Sequence, residues 1–202
     1  GGLMHIANHH VAPGKKQWTW GNGDFGHAWD RNLTDEDGPY IELMCGVYTD
    51  NQPDFSWMQP YEIKQFTEYF MPYQELGLVK NANRKAMVNL ELEDEKASIK
   101  LYTTGFFPKV RLMLLTQEQK VWEDQYDFAP GTVYQQQVSV PTGTSLPDLK
   151  VVALKENQRE LIARQAEQAS EEAIIPDPAK PALNPAEIEN TELLYLNGLH
   201  LE

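Results

Sequence analysis

The chain has 202 residues and a net charge of −13, and hydrophobic residues make up 41% of it. This apolar content is enough for a folded core and excludes a chain that is disordered throughout. The excess of acidic residues excludes nucleic acid and anionic membrane surfaces as partners, because phosphate binding requires clustered lysine and arginine. No apolar run approaches the roughly 18 residues of a membrane-spanning helix.

Cysteine and histidine usage argues against a metal centre. The single cysteine, Cys45, excludes an internal disulfide and a cysteine-rich zinc site. It lies in an apolar run, so we expect a buried, inert thiol. The spacing of His5, His9 and His10 matches no strong zinc signature. We therefore expect no metal and no cofactor, and the cytoplasm is the favoured compartment.

Residues 1–80 are predicted to form short strands joined by long loops. The predicted strands are Leu3–Ala7, Gln17–Trp20, Tyr40–Thr49 and the alternating segment Tyr61–Met71. Residues 21–39 are rich in glycine, aspartate and asparagine, and we predict a polar loop there. The GNGDFG segment at 21–26 resembles a dinucleotide-binding loop. However, that function requires a helix to open at the loop, and no helix is predicted there.

Residues 81–165 have the pattern of an immunoglobulin-like β-sandwich, which consists of about seven short strands with turn residues between them. The predicted strands are Ala86–Glu93, Ala97–Thr103, Lys109–Thr116, Lys120–Phe128, Thr132–Val140, Leu149–Lys155 and Glu160–Arg164. The fold class is therefore mainly β.

Residues 166–202 are predicted to be an acidic, proline-rich linker followed by a first helix. From position 165 onward the chain carries eight acidic residues and one lysine. The NPAE segment predicts a helix start, with Asn184 as the cap and Pro185 at the first helical position. Because a lone helix of this length is marginal, we expect the natural protein to continue with more helices.

Aromatic residues are concentrated in the polar loops of the first 80 residues. A sugar site needs flat aromatic platforms with carboxylate and amide groups around them, since sugars present apolar C–H faces and directional hydroxyls. The residues that we assign to such a site are Trp18, Trp20, His27, Trp29, Asp30, Asn51 and Trp57. Ordinary core packing is the alternative for any single tryptophan.

Two segments resemble the C-terminal signature of aldose 1-epimerases, which have the galactose-mutarotase-like supersandwich fold. These are YIEL at 40–43 and DNQPDF at 50–55, followed by QPYE at 59–62. The resemblance implies that residues 1–80 are the C-terminal portion of such a supersandwich and that Glu42 is the catalytic base. Leu43 and Met44 stand where that family has Thr-Gln. His9, His10 and His27 are the candidates for the family's acid histidine.

Longer motifs resemble an uncharacterised bacterial family that joins a mutarotase-like domain to tetratricopeptide repeats. They include WTWGN at 18–22, AWDR at 28–31, DGPYIEL at 37–43 and ELLYLNGLHLE at 192–202. The resemblance implies a sugar-binding domain, a middle β-domain and a following array of helical repeats. It implies no known reaction.

Two functions follow as hypotheses. In the first, the intact protein binds a carbohydrate, and a catalytic version of this hypothesis makes it an epimerase or glycoside-processing enzyme. Glu42 would be the base or acid, the tryptophans would be platforms, and Asp30 and Asn51 would bind hydroxyls. In the second, the protein is a non-catalytic interaction scaffold whose immunoglobulin-like sandwich and helical repeats bind protein partners. A third possibility is that the chain has no activity because half of its active-site wall is absent, and unpaired strand edges would then associate with another copy of the chain or be capped by loops.

Overall fold

The computed structural model describes residues 1–48, 56, 58–167 and 183–201, and within them the protein is mainly β. The described strands are, in chain order, β1 (Gly2–Ala7), β2 (Gly14–Thr19), β3 (Ile41–Gly46), β4 (Glu68–Tyr73), β5 (Asn81–Ala82), β6 (Ala86–Glu93), β7 (Lys96–Thr103), β8 (Phe107–Thr116), β9 (Gln119–Phe128), β10 (Val133–Ser139), β11 (Leu149–Leu154) and β12 (Glu160–Gln165). The described helices are α1 (Asp24–Leu33) and α2 (Thr191–Leu201).

The chain forms two compact units, which are described separately. The first unit comprises Gly1–Ile6 and the described part of Tyr69–Ile174. The second comprises the described residues of Ala7–Glu68 and Ile175–Glu202. The predicted domain boundaries, 1–80, 81–165 and 166–202, stay predictions.

The first unit contains a sandwich of two antiparallel four-stranded sheets. One sheet has the order β10-β7-β6-β5 and the other β12-β11-β8-β9. The chain therefore crosses between sheets after β7, after β9 and after β10, which is the connectivity of an immunoglobulin-like sandwich. Each of the seven predicted strands is present, with ends that differ from the prediction by at most two residues.

The core of the sandwich is built from alternating side chains of both sheets. In β7 every second residue is buried, and the same holds through Val110, Leu112 and Leu114 of β8. Successive side chains of a strand point to opposite faces of its sheet. The buried residues of β7 therefore line the inner face of one sheet, and those of β8 line the inner face of the other. The largest fully buried side chains in this layer include Phe128, Leu112, Leu101, Ile99 and Leu149.

Side-chain hydrogen bonds link the two sheets on both sides of the sandwich. On one side Asn81 Nδ2 donates to Ala163 O at 2.6 Å, and Asn83 Nδ2 donates to Leu161 O at 2.7 Å. On the other side Tyr134 of β10 donates its hydroxyl to Asp124 Oδ2 of β9 at 2.7 Å. Burial, and then this hydrogen bond, hold the pKa of Tyr134 well above its ordinary value.

The second unit contains a two-stranded antiparallel ribbon, β2 and β3, and the helix α1. The ribbon's register places Trp18 opposite Glu42 and Gln17 opposite Leu43. Few side chains are buried here. Ala12 is the one buried apolar residue among those the structure describes between 7 and 68. Asp30 is also buried.

The prediction of a loop at residues 21–39 is wrong for Asp24–Leu33, which form helix α1. Glycine and asparagine outweighed a helical signal there, namely apolar residues four apart at Phe25, Trp29 and Leu33. The segment at residues 21–26 nevertheless lacks the surroundings of a dinucleotide-binding loop. β2 pairs antiparallel with β3, whereas a dinucleotide loop belongs to a parallel β-α-β unit.

Two other predicted elements are also corrected. Only the last residues of the predicted strand 61–71 belong to a β-strand, since β4 begins at Glu68. The helix predicted from Asn184 is a single 3₁₀ turn, Pro185–Glu187, and α2 begins later, at Thr191. Asn190 caps α2, because its Oδ1 accepts the N–H groups of Glu192 and Leu193 at 2.8 and 3.2 Å. Neither described helix is long and apolar enough to cross a bilayer.

Candidate functional site

Three aromatic side chains of the second unit form an exposed group that we call the aromatic cluster: Trp20, Phe25 and Trp29. Trp18 lies two residues before Trp20, on β2. The rings of Trp20 and Trp29 are stacked, with centroids 5.1 Å apart and planes 16° apart. Phe25 meets Trp29 edge to face at 6.2 Å. All three remain exposed, and the nearby Trp18 of β2 is 54% exposed. Large aromatic rings usually bury their faces, so this exposed group is a candidate ligand surface.

Close backbone packing between β2 and α1 sets the geometry of the stacked pair. A Cβ on Gly26 would lie 2.2 Å from Trp20 O and 2.7 Å from Gly21 O, so only glycine allows this approach. Gly21 itself has φ +80°, which favours glycine at the turn between the strand and the helix. The helix is therefore held against the end of β2, and Trp29 reaches Trp20.

Glu42 lies on the ribbon, opposite Trp18. It is the cross-strand partner of Trp18, so the two side chains are on the same face of β2–β3. The carboxylate is exposed rather than buried in the apolar run. An exposed carboxylate next to an aromatic ring can accept hydrogen bonds from a ligand's hydroxyl groups.

The other flank of α1 borders a cavity of about 270 Å³. It is lined by His27, Asp30, Arg31, Thr34, Asp35, Glu36, Gly38 and Pro39. Asp30 has a structural role in its wall, because Asp30 Oδ1 accepts the N–H of Tyr40 at 3.0 Å. Thr34 closes the helix end, with its N–H donating to Asp30 O at 2.9 Å.

The predicted site residues therefore fall into two groups. Residues 27 and 29 are two positions apart, which places them roughly 160° apart around a helix axis. Trp20 and Trp29 stack on each other and Glu42 pairs with Trp18 across the ribbon, whereas His27 and Asp30 line the cavity. Asn51 and Trp57 lie outside the described residues. The assignment of all these residues to a site stays a prediction.

Sequence reasoning missed Phe25, which completes the aromatic cluster. The available signal was its spacing of four from Trp29, which places both on one face of a helix. The sequence analysis also missed Arg31 and Thr34, which line the cavity. Their positions follow from α1, and no helix was predicted there.

Cys45 lies on the ribbon and is half-buried. Burial raises the pKa of its thiol, and interaction with Glu68 raises it further. The thiol also donates to Ala12 O at 3.5 Å. A protonated thiol is a poor nucleophile, so the chemistry of Cys45 favours a packing role.

A cavity of about 300 Å³ lies at one end of the sandwich, lined by Phe107, Pro108, Lys155, Glu156 and Asn157. An exposed ion pair borders it, with Lys109 Nζ 3.0 Å from Glu156 Oε1. None of the residues that the sequence assigns to a sugar site lies here.

Comparison with known proteins gives two separate matches along the chain. No solved structure matches it. Residues 1–73 match the family model of a domain of unknown function, DUF5107, and residues 81–163 match the family model of the second domain of YphG-like proteins.

Proposed function

We propose that the second unit binds carbohydrate through the aromatic cluster. The observation that carries the proposal is the stacked, solvent-exposed pair of Trp20 and Trp29, with Phe25 against its edge. Flat aromatic surfaces pack against the C–H faces of sugar rings, and such surfaces are rarely left exposed without a function.

Glu42 provides the polar half of the proposed site. It is exposed and shares a face of the ribbon with Trp18, so its carboxylate can accept hydrogen bonds from sugar hydroxyls. The resemblance of YIEL at 40–43 to the aldose 1-epimerase signature supports the same region. Under that resemblance residues 1–80 are the C-terminal portion of a supersandwich.

Binding, rather than turnover, is the function that the geometry supports best. Mutarotation needs a base at the anomeric hydroxyl and an acid at the ring oxygen, both within hydrogen-bond reach. His27 is a candidate acid, but it lies on the other flank of α1 from Trp29. Glu42 would therefore act as a hydrogen-bond acceptor in this chain, and catalysis would need another group.

The test is a binding screen of neutral monosaccharides and oligosaccharides, followed by tryptophan fluorescence and calorimetry. We expect saturable binding that Trp29→Ala abolishes, because the platform is lost. Phe106→Ala is the matched control, since Phe106 is an exposed aromatic residue of the sandwich. Glu42→Gln should weaken binding severalfold while keeping the fold. Absence of binding across the panel would refute the proposal.

An interaction scaffold is the second candidate, and α2 is the observation that favours it. Leu193, Leu194, Tyr195 and Leu196 are all exposed on consecutive positions of this helix. A helix that is apolar all round is normally buried against other elements. Such a surface suits packing against further helices, as in the tetratricopeptide arrays that the sequence resembles. A double Leu194→Glu/Leu196→Glu variant should lose binding of a hydrophobic dye, and unchanged dye binding would contradict this.

A further inference from the structure

The cavity of about 270 Å³ beside α1 is lined by a buried carboxylate, that of Asp30. Asp30 is 7% exposed, and its Oδ1 accepts the N–H of Tyr40. Within the described part of the chain, no group donates a hydrogen bond to Asp30 Oδ2. A buried charge is costly unless hydrogen bonds satisfy it. The second oxygen of Asp30 is therefore an acceptor that a ligand in the cavity can use.

Hydrogen bonds within the chain fix the shape of this cavity. Thr34 Oγ1 donates to Gly38 O at 2.6 Å, which closes the loop that follows α1. The N–H of Tyr40 donates to Asp30 Oδ1 at 3.0 Å and attaches the end of the loop to the helix. These contacts hold the Asp30 carboxylate in one orientation, so a ligand would meet a preformed acceptor.

The charges that line the cavity favour a cation. They comprise three carboxylates, those of Asp30, Asp35 and Glu36, and one guanidinium, that of Arg31. Among the residues that the structure describes, no ion pair joins any of these four groups to another charged group. Asp30 and Arg31 lie in the last turn of α1, where the helix dipole carries partial negative charge and attracts cations.

The spacing and the volume favour an organic cation over a metal ion. His27, Asp30, Asp35 and Glu36 are all described, and no three of them bring their ligand atoms close enough to share an ion. The volume is near the lower limit of about 300 Å³ for ligand pockets, so it suits a molecule the size of a monosaccharide or an amino acid. A protonated primary amine has three N–H donors, one of which would satisfy Asp30 Oδ2.

We propose that this cavity binds the primary ammonium group of a small hydrophilic molecule, with Asp30 Oδ2 as the principal acceptor. Asp35 and Glu36 add electrostatic attraction. The ligand is an amino sugar or an amino acid derivative, since both carry this group on a molecule of suitable size. The proposal does not depend on carbohydrate binding at the aromatic cluster, because none of the three rings of that cluster lines the cavity.

An NMR titration of the isotope-labelled protein tests the proposal at about pH 6, where primary amines are protonated. The backbone amide resonance of Tyr40 reports on the cavity, and the indole N–H resonances of Trp20 and Trp29 report separately on the aromatic cluster. The probes are D-glucosamine, glycinamide and D-glucose. Glucose has the same ring as glucosamine, with a hydroxyl group in place of the ammonium group.

We expect a saturable shift of the Tyr40 resonance with at least one of the two amines. Glucose should bind at least about tenfold more weakly than glucosamine, because a hydrogen bond between two charged groups is lost. A response to glucosamine alone identifies an amino sugar, and a response to glycinamide alone identifies an amino acid derivative. A response to both shows that the ammonium group itself is recognised.

Two variants and a matched control test the role of the carboxylates. Asp30→Asn removes the charge but keeps an acceptor for the Tyr40 N–H, and we expect amine binding to weaken at least about tenfold. Glu36→Gln changes an exposed lining residue, so it should leave the fold intact and weaken binding severalfold. Asp37→Asn is the control, since Asp37 is an exposed acid of the same loop that does not line the cavity.

Thermal unfolding establishes that each variant is folded, and Glu36→Gln decides the matter if Asp30→Asn is not. The proposal is overturned if neither amine shifts the Tyr40 resonance, or if glucose shifts it at the same concentrations as glucosamine. It is also overturned if the two lining variants bind the amine as tightly as wild type, or if Asp37→Asn weakens binding as much as they do.

Discussion

The sandwich buries most of its large apolar side chains, whereas the ribbon and helix α1 leave theirs exposed. The sandwich buries its leucines and valines between two sheets, and ten of the twelve largest fully buried side chains line that layer, all except Leu76 and Met87. In the described part of residues 7–68, Ile41, Leu43, Met44 and the aromatic cluster are exposed instead. The first region is stabilised by its own core. The second presents apolar surface that a ligand or partner can cover.

The largest expected effect is the difference in the free energy of unfolding when one leucine of each region is replaced by alanine. Leu112→Ala removes a fully buried side chain of β8, and we expect a loss of about 2–5 kcal/mol in the free energy of unfolding. Leu43→Ala removes a side chain that is 42% exposed, and we expect a change within about 0.5 kcal/mol. Urea unfolding followed by circular dichroism measures both. Equal losses would mean that the ribbon has a core of its own.

The second prediction concerns the packing that holds α1 against β2. Gly26→Ala places a methyl group against two backbone oxygens, and overpacking of this kind costs about 1–3 kcal/mol. We expect the stacking signal of Trp20 and Trp29 in near-ultraviolet circular dichroism to disappear. Gly23→Ser is the control, since nothing lies within 4 Å of its added Cβ and serine also caps helices. A retained signal in Gly26→Ala would contradict the packing described.

A smaller effect is expected at Tyr134 of the sandwich. Tyr134→Phe removes the hydrogen bond to Asp124, at a cost of about 1 kcal/mol at neutral pH. The raised pKa of Tyr134 also predicts a pH dependence. Its contribution is complete below the unfolded pKa of about 10 and is lost as pH rises above it, because the unfolded state ionises first.

Urea unfolding at several alkaline pH values measures that dependence. Wild type should lose stability more steeply than Tyr134→Phe as the pH rises above about 10. Because the other tyrosines are common to both proteins, their contributions cancel in the difference. Parallel curves would show that Tyr134 titrates normally.

The smallest effect concerns Cys45, which reports on how open the ribbon is. Its raised pKa leaves little thiolate at neutral pH, so alkylation by iodoacetamide should be slower than for an unstructured cysteine peptide. The rate should rise as the pH increases and the thiol ionises. Labelling followed by mass spectrometry measures it. A rate equal to that of the peptide would mean that the ribbon opens freely.

The sequence predicted the strands of the sandwich well, but it did not predict which of the candidate site residues lie together. Alternation in segments such as 110–114, with turn residues between strands, is a local signal, so the seven strands could be located to within two residues. Helix α1 was missed because Gly23, Gly26 and Asn32 indicate a loop on composition alone. The role of Gly26 depends on contact with Trp20, which no local pattern shows.

The grouping of the site residues also depends on that contact. Trp18, Trp20 and Trp29 were singled out because aromatic residues in polar loops are typical of sugar sites. That Trp29 stacks on Trp20 while His27 lies on the opposite flank follows from the presence of α1 and its orientation. The orientation of a docked helix is a tertiary property.

The hydrogen bonds from Asn81 and Asn83 to β12 join the first residues of the sandwich to its last strand. The chain therefore enters and leaves this fold at neighbouring points. A domain of this kind can be inserted into a surface loop of another protein without forcing the flanking segments apart. The sandwich can therefore be transferred between proteins as a unit, and the hydrogen bonds of Asn81 and Asn83 hold its two ends together.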